Sequence, residues 1–214
     1  PEHLAANSTQ TLHGQREDPT LHPRMVERMI AATFELLGSD DFVAKTNPPP
    51  LHLLAPADSD WSGFAPWLLQ RVNDINAVGG PRMRVVHWRT LADTGRLPRW
   101  PQDAALVLDL ADLLEAWIAR QDAFGKVDGR IVCLSMFSHR WETPTAPDTP
   151  ADLKARSLAR YGEIGTCAVF PEHRFDYFFW IDYCGVHQDD RLAKTLGAAK
   201  LPLYGASVVE ILFF

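Results

Sequence analysis

The stretch Ser138-His139-Arg140-Trp141 contains side chains that could together hold an anionic, ring-bearing ligand. A guanidinium such as Arg140 forks onto phosphate or carboxylate oxygens. An indole such as Trp141 stacks on a planar base or a nicotinamide ring, and the Ser138 hydroxyl could bond a ribose or phosphate oxygen. A second group follows in Phe175–Asp190, FDYFFWIDYCGVHQDD. There an aromatic run with no polar face delivers Asp182, with Tyr183 beside it, to its carboxyl end. A carboxylate so placed must be solvated, bonded or paired, and in a nucleotide site it could accept from ribose hydroxyls. The candidate ligand-binding set is therefore Ser138, His139, Arg140, Trp141, Asp182 and Tyr183. The competing reading is structural: Trp141 packs over the sheet edge, while Asp182 pairs with Arg140 or caps the amides of the next loop.

Other chemistries fit less well. His139, Asp182, His187, Asp189 and Asp190 mix imidazole and carboxylate, as zinc or iron sites do. Their spacing is no ligand signature, and Asp189-Asp190 stands where a helix start favours acidic residues, so no metal is expected. Cys184 and His187, three residues apart on a loop, do not fix the geometry of a nucleophile and its base. No residue is assigned a catalytic role. The glycine patterns of Rossmann and P-loop phosphate sites are missing from the sequence.

These groups need a scaffold, and the hydrophobic pattern supplies one. A helix is expected from Pro23 to Gly38, with Met25, Met29, Thr33 and Leu36 on one face. After Pro48–Pro50 come a short strand (Leu51–Ala55), a helix (Ser62–Val78) and a strand (Met83–Trp88). Asp103–Gln121 reads as a helix, although Ala104–Leu110 fits a buried strand equally well. A strand at Arg130–Met136, a helix from Asp152 to Ile164 and the strand Phe175–Asp182 follow. A helix from Asp189 to Tyr204, bent or restarted at Pro202, leads to a last strand, Val208–Phe214. Strands alternating with helices predict an α/β fold with a doubly wound, mainly parallel sheet. In such a sheet ligands bind at the carboxyl ends of the strands, which is where both polar groups fall.

Composition sets outer bounds. At 214 residues the chain can bury a sizeable core. Its formal net charge of −6 argues against a general nucleic-acid binder. No apolar run reaches the roughly 20 residues of a membrane span, and no signal-peptide pattern is seen. Cys133, Cys167 and Cys184 lack any C-x-x-C pair and read as reduced core thiols of a cytoplasmic protein. The start at Pro1 and the apolar end EILFF read as cuts in a longer protein.

Three motifs occur in order: LSMFSHRW (Leu134–Trp141), WIDYCGVHQDD (Trp180–Asp190) and LPLYGASVVEILFF (Leu201–Phe214). Together they make residues ~130–214 resemble the heterokaryon-incompatibility domain, a relative of the Toll/interleukin-1 receptor (TIR) domain. Leu134-Ser135 and Trp141 match that family's first element. Trp180-Ile181-Asp182, Cys184 and Gln188 match the second, and Tyr204-Gly205-Ala206 with Val208–Phe214 match the third. The insertion Phe137–Arg140 and His187, where the family usually carries Asp, depart from it. The resemblance implies a flavodoxin-like sheet in residues 130–214, preceded by a flexible tail (1–20) and an N-terminal α/β extension (21–129). It implies a signalling or self/non-self defence module that self-associates or meets other TIR-like domains. The alternative it implies is an enzyme that cleaves NAD as its substrate or binds a nucleotide, with its catalytic Glu beyond Phe214. No cofactor is otherwise expected.

Overall fold

The computed structural model of the chain describes residues 21–40, 42, 60–138, 147–166, 174–208 and 210–213. The expected tail, the Pro48–Pro50 connector and the strand at Leu51–Ala55 lie outside these residues.

Ile131 to Ser135 and Tyr177 to Ile181 are buried at every position, the mark of strands covered on both faces. They form the centre of β3 (Arg130–Ser138) and β4 (Arg174–Ile181), which pair in parallel from Arg130↔Arg174 to Phe137↔Ile181. On the far side of β3, β5 (Glu210–Phe213) pairs in parallel from Ser135↔Glu210 to Ser138↔Phe213. On the far side of β4 lies β1 (Arg84–His87), antiparallel through Val86↔Phe179 and His87↔Phe178. The two-residue β2 (Leu108–Asp109) is antiparallel to β1. The sheet order is β2-β1-β4-β3-β5, so β1 alone of the five described strands runs against the others. The α/β class expected from the alternation is present, and strands from residues 84–109 belong to the same sheet as those after residue 130.

Helices cover both faces of β4. Alternate side chains on a strand point to opposite faces. Phe178 meets Trp117 of α4 (Leu110–Ile118) edge-on at 6.4 Å. Trp180, on the same face, meets Tyr204 of α8 (Leu201–Gly205) at 5.1 Å. Tyr177, on the other face, meets Tyr161 of α5 (Leu153–Thr166) at 5.3 Å. α5 comes this close because its inner side carries Gly162 and Gly165, where a Cβ would run into Trp88 and Tyr177. The remaining described helices are α1 (Leu21–Gly38), α2 (Phe64–Ala77), α3 (Trp88–Thr94), α6 (Asp182–Gly185) and α7 (Arg191–Ala199).

Several boundaries moved, each for a local reason. The ambiguous stretch 103–121 contains both predicted states. A 3-10 turn at Ala104–Leu106 leads to β2, and Asp109 then starts α4 by accepting the Ala111 amide at 3.1 Å. The long C-terminal helix divides into α7 and α8, with Pro202 in the first turn of the second. In α1, Met29 and Thr33 are buried as expected, but Met25 is 42% exposed. α2 buries Phe64, Leu68, Val72 and Ile75, one helical stripe, and ends before Gly79 and Gly80, both at positive φ.

Two buried cations tie distant segments together. Arg71 donates to the carbonyls of Phe42 and Ala206, both at 3.0 Å, under the Phe42 ring. Lys200 donates to the carbonyls of Gly79 (2.8 Å) and Pro81 (3.0 Å), and burial lowers its pKa to about 8. Tyr204 adds a bond to the Pro81 carbonyl at 3.1 Å.

Candidate functional site

Because Phe137 registers with Ile181, the next residues, Ser138 at the end of β3 and Asp182 just past β4, stand side by side at the sheet's edge. The structure thus brings these two candidates to one carboxyl edge. His139, Arg140 and Trp141 lie outside the described residues. Asp182 is the first residue of α6, and its carboxylate accepts the Tyr183 amide at 2.7 Å. Its main-chain carbonyl accepts from Val186 N–H at 3.0 Å and from Gln188 Nε2 at 2.8 Å. Gln188 donates again to the Val186 carbonyl at 2.8 Å and so clamps the turn. Its Oε1 is buried with no partner among the described residues.

A cavity of about 120 Å³ adjoins this turn, lined by Trp180, Asp182, Val186, Gln188, Lys194 and Leu201, with Gly197 and Ala198. At about 30 Å³ per molecule of liquid water, it has room for a few waters. Tyr183, the other candidate here, is not part of that lining. Burial raises its phenol pKa, and the nearby charges of Arg99, Asp103 and Arg96 act on it.

Cys184 is fully buried, and desolvation pushes its thiol pKa well up, aided by the neighbouring Asp182 charge. A thiol held protonated in the core is no nucleophile. Asp190 caps α7 by accepting the Ala193 amide at 2.9 Å. Asp189 takes bonds from Arg99 and from Gln102, the latter at 2.7 Å. Both aspartates therefore do helix-start and bridging work, and among the described residues no three His, Cys, Asp or Glu side chains gather to hold a metal.

The segment 96–103, which carries no motif in the sequence, straps this edge. Arg96 grips Asp103 with two nitrogens at 2.6 and 2.8 Å, which holds the Asp103 pKa down at about 2. Trp100 donates its amide to the Tyr183 carbonyl and accepts from the Gln188 amide, both at 3.3 Å. Arg84 lies 4.0 Å over the Trp100 ring. The partners that join this segment to the α6 turn lie far apart in sequence, as in Arg99–Asp189 with a separation of 90, so no local spacing signals them.

A second polar group was also missed. His87 Nε2 and Asp176 Oδ1 are 2.9 Å apart, and Trp88 Nε1 donates to the same oxygen at 3.3 Å. This group sits toward the amino end of β4, away from Asp182.

Among the described residues no helix is long and apolar enough to cross a membrane. No protein-family model, curated protein or solved structure matches the chain.

Proposed function

We propose that the chain is a TIR-like signalling or self/non-self defence module that acts through self-association or by meeting other TIR-like domains in the cytoplasm. The observation that carries this reading is the outward face of α5. Leu153 (54% exposed) and Ile164 (41%) fall on the side opposite Ala155, Leu158 and Gly162, which face the sheet, while Tyr161 (37%) stands on the flank between, its ring against Tyr177. A surface helix normally keeps polar residues there, and apolar residues grouped on such a face favour contact with another protein.

Other features agree with this reading. The order β4-β3-β5 is the second-first-third order that opens a flavodoxin-like sheet. Motif residues Trp180, Cys184, Gln188 and Tyr204 are buried and serve packing or turn closure.

The test is light scattering across protein concentration, paired with an NAD consumption assay. Concentration-dependent assembly of the wild type, lost in Leu153→Glu/Ile164→Glu, is the expected outcome. A monomer at every concentration, or NAD turnover abolished by Asp182→Ala, overturns it.

A further inference from the structure

At the amino end of β4 the strands leave a cavity of about 430 Å³, within the size range of small-molecule sites. β1 contributes His87, β3 contributes Arg130 and β4 contributes Asp176, while Arg89 comes from α3. Its charges are unevenly committed. Asp176 is bonded to His87 and Trp88, and Arg120 pairs with Asp128 at 3.4 Å. Arg89 and Arg130 make no salt bridge among the described residues, although Arg89 lies 5.3 Å from the Trp88 ring and the charge of Arg130 acts on Asp176. The lining also includes the apolar side chains Leu108, Leu113, Trp117, Val127 and Phe178.

We propose that this cavity binds a small phosphomonoester, its phosphate on Arg89 and Arg130 and its apolar or aromatic body against Leu108 and Leu113. A phosphomonoester carries about −1.5 to −2 charges at pH 7 and three acceptor oxygens, which matches two guanidinium forks where one carboxylate would leave a cation unmatched. The volume exceeds what a bare phosphate ion fills, and the apolar lining gives the surplus an occupant. His87, its Nε2 fixed on Asp176, is a positioning residue that holds the rim of the cavity.

Phenyl phosphate, phenyl sulfate and inorganic phosphate, titrated by calorimetry at low salt, separate the terms. Phenyl phosphate should bind with a dissociation constant of 1 mM or below by this reasoning, roughly tenfold or more tighter than the monoanionic sulfate ester or inorganic phosphate. Arg89→Gln, on an exposed helix surface, should weaken it about tenfold with the melting temperature unchanged, and Arg89→Gln/Arg130→Gln should abolish it. No binding of phenyl phosphate at 10 mM overturns the proposal. So does equal binding of the sulfate ester or of inorganic phosphate, or undiminished binding by Arg89→Gln. Assembly through α5 is read separately by light scattering, so failure of either reading leaves the other standing.

Discussion

The two aspartates of β4 stand at opposite ends of one strand and in different company. Asp182, at the carboxyl end where α/β sheets usually bind ligands, bonds a neighbouring amide, the Val186 amide and the Gln188 side chain within its own turn. Asp176, near the amino end, bonds side chains from β1 and α3 and lines a cavity more than three times larger, about 430 against 120 Å³. Among the described residues the motif's bonds close a turn, and the roomier polar cavity lies where the sequence gives no sign of one. A cluster of polar residues after an apolar run marks where a chain must close a turn as readily as where it holds a ligand.

The sharpest way to break this contrast is through the packing of the motif. Trp180 is buried, meets Tyr204 at 5.1 Å and lies 3.1 Å from where a Cβ on Gly185 would sit. If the carboxyl end is architectural, Trp180→Ala should cost about 3–5 kcal/mol in urea unfolding. A loss below about 1 kcal/mol would remove the structural role assigned to the motif.

At the amino end the expected loss is smaller and depends on pH. Burial works against ionisation of Asp176, but the bonds from His87 and Trp88 outweigh it and hold the carboxyl below its usual 3.8. A depressed folded-state value means the unfolded chain binds the proton more readily. Stability from this group is therefore fully present above about pH 4 and is lost as pH falls through the folded value. Asp176→Asn should cost about 1–3 kcal/mol at pH 7, and the gap to wild type should shrink as pH falls below the ordinary carboxylate value. A constant gap across that range would mean the carboxylate charge is not what holds His87.

How far the sequence carried the fold follows from what periodicity encodes. The buried runs in β3 and β4 and the helical stripe Phe64, Leu68, Val72 and Ile75 were legible because burial imposes a period on residue type. The reversed direction of β1 was not, because a strand buried on both faces reads the same in either direction. At the site, Asp182 at a strand end and Asp190 at a helix start were legible from local chemistry. His87–Asp176, with a separation of 89, and the strap of residues 96–103 were not, since they depend on which elements the sheet makes neighbours.

The smallest effect bears on Asp182 itself. Its carboxylate is an acid in the first turn of α6 and takes the adjacent Tyr183 amide at 2.7 Å, while the turn itself is closed by the main-chain bond from Val186 to the Asp182 carbonyl. Removing such a group costs about 0.5–2 kcal/mol, so Asp182→Ala should fall near 1 kcal/mol. The Gln188 bond should survive, because it ends on the Asp182 main-chain carbonyl rather than on the carboxylate. Slow amide exchange at Val186 in this variant would report the turn intact, since that amide bonds the same carbonyl. If Asp182→Ala instead unfolded the turn and cost as much as Trp180→Ala, the carboxylate would be a keystone of the carboxyl edge. The contrast between the two ends of β4 would then lie only in their cavities.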